Sequence, residues 1–128
     1  CGSDEVVVLQ PYCYGQSAML LRCIVSQLGT SFSGQWFVYD FRVRTGCGLT
    51  PVCIATLAAE CPNFAGVKDT GDCQSHTRSM IDTTRAVREN FAVLSGYDEY
   101  YIPNLLAGGA GVISGLNNVM PELFVSAR

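Results

Sequence analysis

Lysine occurs once in these 128 residues, at Lys68, directly after the apolar run Phe64-Ala65-Gly66-Val67. A stem that begins among apolar side chains disfavours the ammonium form. The neutral amine is then available as a nucleophile toward a carbonyl. The competing assignment is a strand-end lysine whose head reaches water. Tyr39 closes a second apolar run, Trp36-Phe37-Val38. Its hydroxyl would serve the proton transfers that an imine-forming amine requires, or it simply packs on a rim. Arg44 lies in the following loop, Arg42-Val43-Arg44-Thr45-Gly46. Its planar fork suits a substrate carboxylate, and the alternative is a solvated loop arginine. Asp98, just past Gly96, would cap the next helix or meet a ligand. His76, the single histidine, falls in a helical stretch and reads as a surface residue, so no His-based triad is available. The glycine-rich stretch Gly108-Gly109-Ala110-Gly111 precedes a strand, whereas a dinucleotide fingerprint follows one.

Two kinds of segment would position these side chains. Short apolar runs at Glu5 to Leu9, Trp36 to Tyr39, Phe64 to Lys68, Phe91 to Leu94 and Gly111 to Ile113 read as strands. Helical spacing covers Ala18 to Leu28, His76 to Arg88, Tyr100 to Ala107 and Val119 to Ala127. Thr50-Pro51 opens a further helix, with Thr as N-cap and Pro in the first turn, and that helix stops near Cys61-Pro62. Strands apolar throughout and joined by helices imply a parallel sheet covered on both faces. A doubly wound open sheet and a barrel both satisfy this, and both place function at the carboxyl ends of the strands. Tyr39, Lys68, Ser95-Gly96-Tyr97-Asp98 and Ser114 all fall at that rim.

Composition excludes several classes. Hydrophobic residues make up 48% of the chain, which is globular rather than disordered. Charged residues are 15%, below the usual ~25%, which fits elements covered on both faces or a piece of a larger fold. A net charge of −3 with seven scattered arginines gives no phosphate-binding stripe, so nucleic acid is not an expected partner. No apolar run reaches the ~18 residues of a membrane span, and Asp4 and Glu5 interrupt any signal peptide. The seven cysteines form no C-x-x-C pair. Cys23 and Cys53 fall where buried residues are expected, so free thiols in a reducing compartment are predicted. The first residues are Cys1-Gly2, without an initiator Met, which suggests a fragment.

Five motifs occur in order: Pro11-Tyr12-x-Tyr14, Val38-Tyr39 with Gly46, Gly66-Val67-Lys68-Asp69-Thr70, Leu94-Ser95-Gly96-Tyr97-Asp98, and Gly108-Gly109-x-Gly111-Val112-Ile113-Ser114. Each alone is weak. Together they resemble the dihydrodipicolinate synthase / N-acetylneuraminate lyase family over essentially the whole chain. That resemblance implies a (β/α)8 barrel, with residues 1–128 supplying about strands four to eight and the N-terminal strands missing. It implies class I lyase chemistry on pyruvate and an aldehyde, with Lys68 as the Schiff-base amine and Tyr39 as the catalytic tyrosine. Arg44 and Thr45, with the main chain at Gly96 and Ile113, would bind substrate. It also implies no metal, no cofactor, a cytoplasmic location, and a homotetramer or homodimer.

The chain departs from the family pattern in three places. Cys13 replaces the second tyrosine of a pair, and Tyr14 follows it. Asp40, Arg42 and Val43 replace the usual Asn, Pro and Gly. The glycine-threonine-threonine segment that holds the pyruvate carboxylate would precede Cys1. Arg44-Thr45-Gly46 is similar to the dihydrodipicolinate synthase pattern. Lys68-Asp69-Thr70-x-Asp72, His76-x-Arg78-Ser79-Met80-Ile81 and Gly96-Tyr97-Asp98 look more like the aldolases of 2-keto-3-deoxy sugar acids, and sialate lyases share the last of these. The favoured reading is therefore a sugar-acid aldolase, with the other two lyases as alternatives. A family member that has lost activity and serves as a binding or assembly subunit is the alternative of another class. An anion-binding open sheet of flavodoxin type would give Lys68 no role. Five strands without the first three would leave an open edge and a poorly stable piece.

Overall fold

The computed structural model describes residues 5–9 and 18–127. Five strands, β1 (Glu5–Leu9), β2 (Gln35–Asp40), β3 (Phe64–Asp69), β4 (Ala92–Ser95) and β5 (Gly111–Val112), form one sheet. The helices between and after them are α1 (Ala18–Ser31), α2 (Arg42–Thr45), α3 (Pro51–Glu60), α4 (Gln74–Arg85), α5 (Tyr101–Leu106) and α6 (Pro121–Ser126). All pairings are parallel, and the strands lie in chain order with no reversal. A doubly wound sheet needs a reversal to place helices on both sides, and its ligand sits at that switch point. Crossovers of one hand without a reversal put every helix on one face. The sheet is therefore an arc of a (β/α)8 barrel, and the flavodoxin-type alternative is excluded.

The two faces of the arc differ as this topology requires. Trp36, Val38, Phe64, Val67 and Val93 face the helices and pack with Val25, Leu49, Ile54, Leu57, Met80 and Ile81 in one buried cluster. Trp36 is fully buried and stacks on Phe64 with ring centroids 4.5 Å apart. The other face carries Val7, Leu9, Phe37, Tyr39, Gly66, Lys68, Ala92 and Leu94, and corresponds to a barrel interior. It is less covered in this arc, with Val7 and Leu9 exposed.

One irregularity decides where Lys68 points. Trp36 pairs with Phe64 and Phe37 with Gly66, so Ala65 is an extra residue in β3. Strict alternation from Phe64, which packs among the helices, would put Lys68 on the helix side as well. The bulge shifts the register by one and turns Lys68 to the inner face. Gly66 makes the close approach possible: a Cβ there would lie 2.3 Å from the Ala92 carbonyl oxygen and 2.6 Å from the Phe37 ring.

Local signals account for some helix ends. The Thr50 side chain accepts from the Cys53 N–H at 3.2 Å, and Pro51 occupies the first turn, as the sequence predicts. Three expectations need correction. Arg42–Thr45, read as loop, is a short helix closed by Gly46 in the left-handed region at φ 73°. Helix α4 begins at Gln74 rather than His76, which brings His76 into the first turn and half-buries it. Cys23 is exposed, because the buried stripe of α1 is centred on Val25, and Cys53, in α3, is half-buried. Helix α1 carries apolar residues on more than one side, so its periodicity did not fix the buried face. Cys23, Cys47, Cys53, Cys61 and Cys73 are free thiols. Among the described residues no helix is long and apolar enough to cross a membrane.

Candidate active site

Tyr39 and Lys68 are Cα partners in adjacent strands, both on the inner face one residue before their strands end. The Lys68 Nζ lies 4.0 Å from the centroid of the Tyr39 ring, a cation–π distance. That ring also stacks near Phe41, with centroids 5.5 Å apart and planes 12° from parallel. The amine and the phenol thus share one patch at the carboxyl-terminal rim, where barrel active sites are built.

The other expected site residues are placed variously. Gly96 follows β4 and its N–H donates to the Asp69 carbonyl at 2.8 Å. A Cβ at Gly96 would sit 1.8 Å from Thr70 Oγ1. That buried hydroxyl has no hydrogen-bond partner among the described residues. Ile113 follows β5, is 40% exposed, and donates its N–H to the Ser95 carbonyl at 2.9 Å. Ser114 Oγ, beside it, is buried and likewise without a partner among the described residues. Arg44 projects from α2 into solvent. Thr45 is buried, and its hydroxyl donates to the Cys47 carbonyl at 2.7 Å and lies 3.2 Å from that of Phe41. Asp98 accepts from the Leu116 N–H at 3.2 Å, capping the 3-10 turn Leu116–Asn118. Pro11, Tyr12, Cys13 and Tyr14 lie outside the described residues.

Behind the pair, on the helix side, is a polar cluster that the sequence did not disclose. Asp40 and Asp69 follow Tyr39 and Lys68, are Cα partners, and are almost wholly buried. Arg42 Nη2 lies 3.0 Å from Asp40 Oδ2, 3.4 Å from Asp69 Oδ1 and 2.9 Å from His76 Nδ1. Asp69 also accepts from Thr77 Oγ1 at 2.7 Å and from the Gly71 N–H at 3.0 Å. Burial pushes Asp40 up to about 6 against the pull of Arg42, and the nearby Asp69 charge adds to the rise. Burial pushes Asp69 the same way, but hydrogen bonding from His76 and Thr77, with the Arg42 charge, holds it below the usual carboxylate range. The available signals were an acid and a base at positions 40 and 42, just past one strand end, and Asp69 with the single histidine, His76, just past the next.

An amine and a phenol thus meet on the inner rim of a parallel arc of a (β/α)8 barrel. The chain matches the dihydrodipicolinate synthetase family over residues 1–127 and belongs to it. It is 36% identical over 124 residues to the "Probable 2-dehydro-3-deoxy-D-pentonate aldolase YjhH" of Escherichia coli (strain K12), covering 97% of this chain and 41% of that protein. It is 43% identical over 124 residues to a 4-hydroxy-tetrahydrodipicolinate synthase of Methanospirillum hungatei JF-1, covering 94% of this chain and 40% of that one. The crystal structure of YagE from E. coli K12 in complex with pyruvate superposes with a TM-score of 0.94 at 38% identity, over 98% of this chain and 42% of YagE. The chain thus spans about two fifths of the length of these relatives.

Proposed function

We propose that this chain carries the reactive centre of a class I lyase that handles pyruvate through a Schiff base on Lys68. The observation that carries the reading is the Tyr39–Lys68 pair: register partners on the inner rim, with the amine 4.0 Å from the ring centroid. The Lys68 amine attacks the C2 carbonyl of a 2-oxo acid. The carbinolamine loses water, with Tyr39 passing the proton to the departing hydroxyl. The resulting iminium withdraws electrons as the C3–C4 bond breaks, while the phenolate takes the proton of the C4 hydroxyl and the aldehyde departs. Protonation of the enamine at C3 and hydrolysis of the imine release pyruvate and the free amine. In the opposite direction the same steps condense pyruvate with an aldehyde.

On this reading the main chain at Gly96 and Ile113 borders the pyruvyl unit, and Arg44 and Thr45 belong to the loop that meets the second substrate. Residues 1–128 form part of one barrel domain whose remaining strands complete the pyruvate pocket, within a cytoplasmic homotetramer or homodimer. The substrate favoured is a 2-keto-3-deoxy sugar acid. The Lys68 to Asp72 and His76 to Ile81 motifs support it, as does similarity to a protein named for a 2-dehydro-3-deoxy-pentonate aldolase. Condensation with aspartate semialdehyde is the second reading, supported by Arg44-Thr45-Gly46 and the similarity to a 4-hydroxy-tetrahydrodipicolinate synthase.

A paired assay separates them: pyruvate released from 2-keto-3-deoxy sugar acids, against pyruvate consumed with aspartate semialdehyde. The sugar acid is expected to be the better substrate, with Tyr39→Phe lowering kcat by about a hundredfold or more. Turnover of neither by folded protein would favour the member that binds without catalysing.

A further inference from the structure

The Arg42 guanidinium lies between the two strand ends that carry the reactive pair. Asp40 and Asp69 occupy directly paired positions, where like charges repel. Both are too buried for water to screen them. Arg42 Nη2 bridges them at 3.0 and 3.4 Å. A slot holds the guanidinium in place: a Cβ at Gly71 would meet Arg42 Nε at 3.0 Å, and one at Gly48 would meet it at 3.2 Å. His76, from the first turn of α4, closes the fourth side, with Nδ1 2.9 Å from Nη2. The titratable and charged groups acting on Asp40 include Arg42 from α2, Asp69 from β3 and His76 from α4, and the Leu49 main chain also hydrogen-bonds its carboxylate; the Cys73 thiol at the α4 N-cap is within reach of the Arg42 charge.

We propose that Arg42 is a positioning residue: by holding Asp40 and Asp69 together it fixes the carboxyl ends of β2 and β3, and so the spacing of Tyr39 and Lys68. This rests on the reading of Lys68 as the Schiff-base amine. Each carboxylate is one planar peptide away from the inner-face residue before it, so a separation on the helix side is carried through to the pair. Side chains that must meet a common carbonyl lose rate steeply with sub-ångström displacement.

The test compares wild type, Arg42→Met, and Arg42→Met with Asp40→Asn, in the longest soluble form of the protein. The first readout is the rate of borohydride trapping of pyruvate at Lys68 at pH 5 and 7.5. The second needs no pyruvate: the 13C signal of Lys68 after reductive methylation with 13C-formaldehyde, assigned by its loss in Lys68→Arg. Arg42→Met is expected to slow trapping at pH 7.5 on the order of tenfold or more. The deficit relative to wild type should shrink at pH 5, where Asp40 takes up a proton. Asp40→Asn in the same protein should restore the rate to within roughly threefold and remove the pH dependence of the deficit. A trapping rate unchanged in Arg42→Met, or a loss that Asp40→Asn does not repair, would overturn the proposal. If wild type itself forms no adduct, the Schiff-base reading fails, and the 13C signal judges Arg42 alone. A signal displaced in Arg42→Met and returned by Asp40→Asn supports the clamp, and a signal that does not move refutes it.

Discussion

Asp40 and Asp69 are identical residues, one strand apart, driven in opposite directions by their surroundings. Because Asp40 is raised to about 6, above the ordinary 3.8, the folded protein binds its proton more tightly than the unfolded chain. Its contribution to stability therefore falls as pH rises from about 4 to about 6 and is flat above. Asp69 has the opposite sign, stabilising above the ordinary value and losing that contribution as pH falls. Asp40→Asn should abolish the first effect, worth roughly 3 kcal/mol at most. Urea unfolding at pH 4.5 and 7 reads this directly, and an unchanged difference between the two pH values would contradict it. Gly66 is constrained by backbone rather than by a movable side chain. Gly66→Ala should cost about 3 kcal/mol by thermal unfolding. At this scale Tyr39 and Lys68 were legible, because each ends an apolar run. The contacts of Arg42 with Asp69 and His76 were not, since they join residues 27 and 34 positions apart. The nearer hint was a change of two charges within three residues.

The bulge at Ala65 is the element-scale feature that sets which face Lys68 takes. The sequence showed a strand ending at Lys68, but an apolar run without alternation carries no record of which face its last residue takes. Only the pairing of Phe64 with Trp36 and of Gly66 with Phe37 reveals the extra residue. Deleting Ala65 should leave Lys68 on the inner face, because Phe64, Gly66, Val67 and Lys68 then alternate without a bulge. The expected outcome is lysine labelling at position 68 by amine reagents retained near the wild-type rate. Loss of that labelling would show that the register argument for Lys68 is wrong. Arg88 guards the opposite end of the same strand. Its guanidinium donates to the carbonyls of Phe64 at 2.6 Å and Cys61 at 3.0 Å, and also reaches that of Ala58. These are the last carbonyls of α3 and the start of β3. Arg88→Met should destabilise by roughly 2 kcal/mol in chemical denaturation. It should leave the pH dependence attributed to Asp40 intact. The five strands and the start of α3 were readable from apolar runs and a cap. The buried face of α1 and the short helix α2 were not, because the first carries apolar residues on more than one side and the second is only four residues long.

For the molecule as a whole, five parallel strands in chain order leave β1 and β5 unpaired on their outer sides, and an inner face on which Val7, Leu9 and Ile113 are exposed among the described residues. Sequence pattern alone could not choose between a barrel and a doubly wound sheet, since both are built from the same units. Strand order made the choice. An arc of this kind produced alone as residues 1–128 should bind a hydrophobic dye and unfold without a sharp transition, and should lose both properties when the rest of a barrel closes over it. Sharp unfolding of the isolated piece without dye binding would show that the inner face needs no cover. The claim that unites these scales is that Lys68 is the covalent amine. The most direct measurement is borohydride reduction with pyruvate on the longest soluble form of the protein, read by intact mass and peptide mapping beside Lys68→Ala. One reduced pyruvyl adduct, confined to the Lys68 peptide and absent from the variant, is the predicted result. A folded, barrel-complete protein that gains no adduct, or gains it elsewhere, would contradict the account.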